Sequence, residues 1–370
     1  MRSHTLSLAL ILIISLMIPL CGAGEELAGT DEPLHGQTGF TRDSSADLPV
    51  GILVMKSGFV SDIGTEYERA FDIAMNDSSP NRISPVIMDG GSTLSVAAAG
   101  WNAMIEAVPD LPVIMTVSSW TTNAVYPDAA DRGMVQVALG SAAINRSSGE
   151  DRLIRFTPGV LQESPVLAAY LDRFDRIAIV GGENDLSNGY FTALDRLLPG
   201  KIVQKTRYDQ DHVTRTLNTT EIVAATPDVV LLLSVSEGDE VVSLLRSAGV
   251  SVPFVGTRVI ERNSLAMTPG AEGLIFTSPA LNESHPFFAS YHGEFGENAT
   301  FYGAEGYDAF MTLNAAASAC GPDTDGLYDW YRNRTWDGAL GHISFDEQGN
   351  ATYPVGWKQV RDGAITGYQI

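Results

Sequence analysis

The run PVIMTVSSWTTNAVYPDAADRGMVQVA, residues 112–138, holds one full cycle of the pattern that decides the fold. Pro112–Thr116 is a continuous apolar stretch, as suits a strand buried on both faces. A loop rich in hydroxyls follows, Ser118-Ser119-Trp120-Thr121-Thr122, and Thr122–Arg132 then reads as a helix. Met134–Ala138 supplies the next strand. Upstream the same alternation begins with the apolar run Val50–Met55 and the turn Lys56-Ser57-Gly58. Ile63, Tyr67, Ala70, Phe71 and Ala74 then recur at helical spacing, one face turned to a core. Pro85–Met88 reads as a strand and Ser95–Ala107 as a helix. Strands joined by helices of this length imply right-handed crossovers and a parallel sheet.

Downstream the alternation restarts. Helices are expected at Glu163–Phe174, Tyr190–Leu198, Leu217–Ala225 and Asp239–Ala248. Strands are expected at Arg176–Val180, Lys201–Arg207, Asp228–Leu233, Val252–Val255 and Gly273–Thr277. A longer helix, Ala304–Ala319, and a hairpin around Phe345–Asn350 complete the chain. At 370 residues the chain is long enough for two lobes of ordinary size. The expected fold class is α/β, two doubly wound parallel-sheet lobes joined by a hinge. Loops at the carboxyl ends of such strands line the crevice where ligands bind.

The formal charge is −22, from 45 acidic and 23 basic residues, and this disfavours a nucleic-acid partner. Arg2 and His4 precede the apolar run Leu6–Leu20, the layout of an export signal. Residues 1–23 are therefore expected to be an export segment. Cys21 directly follows the apolar run, as at a lipoprotein processing site, but Leu20 stands where a small residue is preferred. Cleavage after Ala23 is the rival reading, and a signal anchor a third. Residues 24–48 are polar, acidic and aperiodic, and read as a flexible tether. Seven of the fourteen asparagines begin an N-x-S/T sequon (Asn76, Asn145, Asn218, Asn282, Asn298, Asn333 and Asn350), which suggests a glycosylated outer surface. These features point to an extracytoplasmic chain tied to the membrane, at an archaeal cell surface or in a periplasm. The second cysteine, Cys320, follows a helical pattern and reads as a structural thiol.

Several ordered segments resemble the type I periplasmic solute-binding proteins, in the branched-chain amino-acid (Leu/Ile/Val)-binding-like family of ABC transporters. Ser57-Gly58 with Gly64 looks like that family's first ligand loop and helix. Val86-Ile87-Met88-Asp89 followed by Ser92 looks like its second strand and acidic turn. Val113–Gly133 is similar, without gaps, to its serine-loop segment, and Arg176–Val180 to the first strand of its second lobe. Ser344–Asn350 resembles its late phenylalanine-aspartate hairpin. The resemblance runs from about Val50 to the end. It implies a clamshell that closes on an amino acid or related small polar molecule, a carboxylic acid or amide included, and then docks on the permease of an ATP-driven importer. It also implies discontinuous domains, residues 49–160 plus 281–320 in lobe 1 and 161–280 plus 321–370 in lobe 2.

By the same resemblance Ser119 would hold a ligand carboxylate, with Thr121 beside it; Trp120 could stack on the ligand or fill the hinge-side core. Plain helix capping explains the hydroxyls equally. Ser141 and the main-chain amide of Ala142 would complete the cradle; alternatively the segment is only a lobe-crossing turn that needs Gly140 for its backbone. Ser57 would belong to the first ligand loop by the same resemblance. In the second lobe Leu186, and Val235 or Ser236, fall where the family often has ligand-covering residues. Arg258 stands where branched-chain binders commonly carry an acid for the ligand's ammonium. Arginine has no acceptor, so in the cleft it would favour a carboxylate; alternatively it faces solvent or pairs with Glu261 or Asp239. Asp308 reads as a structural carboxylate. Histidines His4, His35, His212, His285, His292 and His342 are scattered, so no metal site or cofactor is expected, and no nucleophile–base pair or phosphate loop indicates an enzyme. A ligand-sensing receptor module for a signalling partner is the alternative to transport.

Overall fold

The computed structural model describes residues 48–142 and 151–370. The expected export segment, the tether, Cys21 and Asn145 lie outside the described residues. All described residues fall within one compact unit.

Among the described residues the first sheet has five parallel strands, threaded through three helices. In order these are β1 (Leu48–Val54), α1 (Ser61–Asp77), β2 (Ile83–Asp89), α2 (Leu94–Ala107), β3 (Val113–Val117), α3 (Ser119–Asp131), β4 (Val135–Leu139) and β5 (Leu153–Arg155). The spatial order β2-β1-β3-β4-β5 puts β1 beside both β2 and β3. The strands are apolar without alternation because helices cover both faces. Gly64 lets α1 approach the sheet. A Cβ there would lie 1.9 Å from the carbonyl oxygen of Met55.

The second sheet carries α4 (Val160–Leu171), β6 (Ile177–Gly182), α5 (Asp185–Leu197), β7 (Ile202–Tyr208), α6 (Val213–Thr216), α7 (Thr219–Ala224), β8 (Val229–Leu233), α8 (Gly238–Ser247), β9 (Phe254–Gly256), α9 (Asn263–Ala266) and β10 (Ile275–Pro279). The helix expected over Leu217–Ala225 is α7, which begins two residues later, and the short α6 precedes it. Leu217 ends α6, and the Asn218 side chain caps α7 by accepting from the Glu221 amide.

The chain then returns through α10 (Pro286–Phe295), α11 (Phe301–Cys320), α12 (Thr324–Tyr331) and a small antiparallel sheet of β11 (Thr335–Gly338), β12 (Gly341–Phe345) and β13 (Ala351–Thr352). This return corrects the expected boundary at residue 320. Leu327, Tyr331, Leu340, Ile343, Phe345 and Tyr353 are buried in the core of lobe 1, together with Tyr67, Phe71 and Phe156. The Tyr331 and Phe156 rings each pack against Phe345, with centroids 5.2 and 5.4 Å apart. Only β14 (Val355–Arg361) and β15 (Ala364–Tyr368) join lobe 2, antiparallel, at the β10 side of its sheet. Asp308 is fully buried on α11 and accepts the amides of Ala339 and Leu340 at 2.9 and 2.7 Å, fixing α11 to the turn after β11. Cys320 ends α11, and its thiol donates to the Gly326 carbonyl at 3.3 Å.

Candidate ligand-binding cleft

A cleft of about 570 Å³ opens between the carboxyl ends of the two sheets. Its wall follows the topology. Met55, Phe59 and Val60 come after β1, Ser118 to Trp120 after β3, Gly140 and Ala142 after β4, and Thr157 after β5. From lobe 2 come Asn184 to Leu186 after β6, Gln210 after β7, Val235 after β8, and Arg258 with Val259 after β9. Both lobes thus meet the cleft with the loops at which ligands bind in doubly wound folds.

The floor on the lobe 1 side is built by β3 and β4. Ser118 is the N-cap of α3 at φ 91°, a conformation L-residues rarely hold. Its amide donates to the Leu139 carbonyl at 2.8 Å, so it is pinned to the end of β4. Its Oγ accepts from the Thr121 amide at 3.4 Å. The amides of Ser119 and Trp120 lie in the first turn of α3, where no intrahelical acceptor exists, and so can serve an anion. Gly140 at φ 58° provides the neighbouring turn. Its amide donates at 2.9 Å to Glu305, a fully buried acid of α11 that also accepts Thr157 Oγ1 at 2.6 Å and the Tyr67 hydroxyl. Burial pushes the Glu305 carboxyl above its usual range, against the pull of those donors. Burial likewise pushes the Tyr67 and Tyr302 phenols up, so both line the cleft as neutral hydroxyls.

The residues singled out in the sequence divide in two. Ser119, Trp120, Ala142 and Arg258 line the cleft. Ser57, Thr121 and Ser141 are not part of its wall. Ser57 Oγ donates to Asp89 at 2.6 Å, tying the loop after β1 to the end of β2. Thr121 is fully buried, its hydroxyl on the carbonyls of Val117 and Ser118. Ser141 is 1% exposed, and its amide donates to Thr157 Oγ1 at 3.3 Å.

Arg258 reaches the cleft wall, but its charge is engaged by a partner the sequence did not suggest. Its guanidinium pairs with Glu163 of α4, and both side chains are almost fully buried. A second nitrogen donates to the Pro158 carbonyl at 2.9 Å, while Nε has no partner among the described residues. Glu163 also accepts the Arg258 amide at 3.3 Å and the hydroxyls of Thr277 and Tyr190. Glu261, the suggested partner, instead holds Lys358 at 2.6 Å.

Aromatic side chains supply much of the remaining wall; of these the sequence pattern turns Tyr67 to a core and singles out Trp120, and it does not single out Phe59, Phe301 or Tyr302. Trp120 is locked by an Nε1–H bond to the Gly91 carbonyl at 2.9 Å and faces Phe59 at 6.1 Å between ring centroids. Tyr67, Phe301 and Tyr302 form the opposite group, with centroid distances of 6.0 Å for Tyr67–Tyr302 and 4.0 Å for Phe301–Tyr302. Glu305 had one legible signal, an acid inside the apolar stretch Phe301–Phe310. Among the described residues no cluster of His, Cys, Asp and Glu could hold a metal ion. Nor is any described helix long and apolar enough to cross a membrane.

The sequence pattern of the periplasmic binding proteins matches residues 47–364. No curated protein matches the sequence. An extracellular ligand binding receptor from Desulfohalobium retbaense is similar at 30% identity and a TM-score of 0.81; the alignment covers 87% of this chain but 59% of the receptor. A leucine binding protein from Thermotoga maritima has a TM-score of 0.78 at 20% identity, over 87% of this chain and 98% of its own. A solute binding protein of an ABC transporter from R. palustris, solved with benzoate, also has a TM-score of 0.78, at 16% identity over 87% and 95% of the two chains. The α/β architecture, the cleft between two parallel-sheet lobes and the match over nearly all described residues agree: the chain belongs to the periplasmic binding protein family and shares the type I fold of the leucine binding protein.

Proposed function

We propose that this protein is the extracytoplasmic solute-binding component of an ATP-driven importer, capturing a small organic solute that carries a carboxylate and presenting the closed form to a permease. The observation that carries this reading is the cleft itself. Strand ends of both sheets wall it, and at its floor the first turn of α3 offers Ser119 Oγ and two amides without intrahelical acceptors. A carboxylate there meets oriented donors and the positive end of a helix. Ala142, on the adjoining loop, bounds the same floor. The solved neighbours that bind leucine or benzoate support a ligand of this size class.

Closure follows from the placement of the walls. A ligand seated on lobe 1 gains contacts with Leu186, Val235 and Val259 of lobe 2 only when the lobes are together, so binding favours the closed form. The exported N-terminus, with Cys21 as lipid anchor, would hold the protein at the outer face of the membrane. Of the described sequons, Asn76, Asn218, Asn282, Asn298 and Asn333 are exposed and open to glycosylation.

A thermal-shift screen of the purified protein against organic acids, amides, amino acids, sugars and polyols tests the reading. A ligand at ~1,000 times its dissociation constant stabilises the native state by ~4 kcal/mol. A folded protein that responds to none of these classes would refute a solute-binding role.

A further inference from the structure

We propose that the cleft selects an aromatic monocarboxylate lacking an α-ammonium group, an inference that rests on the solute-binding role above. The first argument is charge. An amino acid brings an ammonium that needs an anionic partner once water is excluded. Among the described cleft-lining residues Asp185 is the one acid, and it is exposed in the first turn of α5. Three buried acids stand behind the wall, and each is committed. Glu163 holds Arg258; Glu305 holds Thr157, Tyr67 and the Gly140 amide; Glu237 accepts Tyr208 at 2.7 Å and Gln210 at 3.0 Å. The remaining charged group of the wall is Arg258, a cation. Its pairing with Glu163 makes that end of the cleft close to neutral overall, with a spare donor at Nε and no spare anion. An ammonium would be desolvated there without a counterion. A carboxylate at the α3 end has donors waiting for it.

The second argument is shape and surface. The indole of Trp120 is held in place by Gly91, and Tyr67, Phe301 and Tyr302 face the same cavity, so a ring inserted among them meets both faces and edges of fixed aromatic groups. At the mouth, Phe59 and Leu94 are 43% and 57% exposed, apolar surface that an apolar ligand body would cover.

The experiment is calorimetric titration with matched ligands, 3-phenylpropanoate against phenylalanine and 4-methylpentanoate against leucine. Each pair differs only in the α-ammonium. The expected result is that 3-phenylpropanoate binds at least ten-fold more tightly than phenylalanine, and also more tightly than 4-methylpentanoate. Trp120→Ala should weaken 3-phenylpropanoate ten-fold or more, and Trp120→Phe should restore most of the loss, with circular dichroism confirming the fold of both. Tighter binding of either amino acid overturns the charge argument, and equal binding of the aliphatic acid overturns the aromatic one. If no acid binds but a sugar or polyol does, the ligand class is wrong while the solute-binding role stands. If nothing binds, both fail.

Discussion

The buried Arg258–Glu163 pair gives the most direct test of how the cleft wall is held. The two side chains are 4% and 2% exposed, so neither charge is shared with water. Breaking such a pair from one side typically costs 3–5 kcal/mol, because the survivor is left charged and buried. Here the survivors keep some partners. In Arg258→Met, Glu163 retains the Thr277 and Tyr190 hydroxyls and the backbone amide of residue 258. In Glu163→Gln, Arg258 retains the Pro158 carbonyl. Each single change should therefore fall near the lower figure, about 3 kcal/mol. In the double variant no charge remains, the introduced glutamine still serves the two hydroxyls, and methionine fills the arginine's volume. Replacement of a buried ion pair in this way is often close to neutral. The sum of the singles should thus overstate the double by several kcal/mol, a large coupling energy. Urea unfolding of the four proteins, followed by circular dichroism, measures it. Additive effects, or single variants within about 1 kcal/mol of the parent, would show that the pair is not buried as described.

Three further outcomes are expected. Glu66 of α1 accepts the amides of Thr300 and Gly303 at 2.6 and 3.0 Å, and burial pushes its carboxyl up to about 7. The folded protein thus keeps a proton that the unfolded chain releases near 4.5, so this group's contribution to stability is full below that pH and is lost as pH rises through about 7. Glu66→Gln preserves both accepted amides and should flatten the fall in stability between pH 4.5 and 7, read as a difference in urea midpoints across that range. Asp62 of lobe 1 and Arg262 of lobe 2 pair at 2.7 Å across the lobes, with Asp62 64% exposed. Asp62→Asn should weaken ligand binding by no more than the ~1 kcal/mol of an exposed ion pair, and the difference should vanish in high salt; titration at two salt concentrations checks it. Gly64→Ala forces a methyl group into the Met55 carbonyl and should lower the urea midpoint by about 1–3 kcal/mol equivalent, since backbone rather than a flexible side chain must move.

The alternation of apolar runs and helical periods made the two parallel sheets legible, because strands covered on both faces cannot hide among polar residues. The strands Val113–Val117 and Val229–Leu233 are apolar almost throughout and were placed to within a residue. What was not legible depends on contacts between distant segments. β5 is three residues long, too short for a period, and α12 carries an apolar face that would suit either lobe. Its lobe is decided by packing of Leu327 and Tyr331 against a core begun over 200 residues earlier, which no local pattern records. The partner of Arg258 lies 95 residues away and was missed for the same reason.

The split among the candidate hydroxyls has a more local origin. Reading the helix from Thr122 places Ser119, Trp120 and Thr121 together in a loop, all free to face a ligand. The helix in fact begins at Ser119, with Ser118 as its cap. Once helical geometry starts there, residues two apart point to nearly opposite sides, while residues four apart share a face. Ser119 and Asn123 must then lie on one side, and Thr121, Thr122 and Val125 turn largely to the other. The structure shows that division, with Ser119, Trp120 and Asn123 on the cleft and Thr121, Thr122, Val125 and Ala129 buried. One turn of helix at the start of α3 therefore separates a cradle of several hydroxyls from one built on Ser119 and two main-chain amides. The serine-rich loop suggests an anion site, and the donors it can offer are set by where the cap falls. Ser118 can be that cap because its amide is held by the end of β4 while its backbone sits at a positive φ.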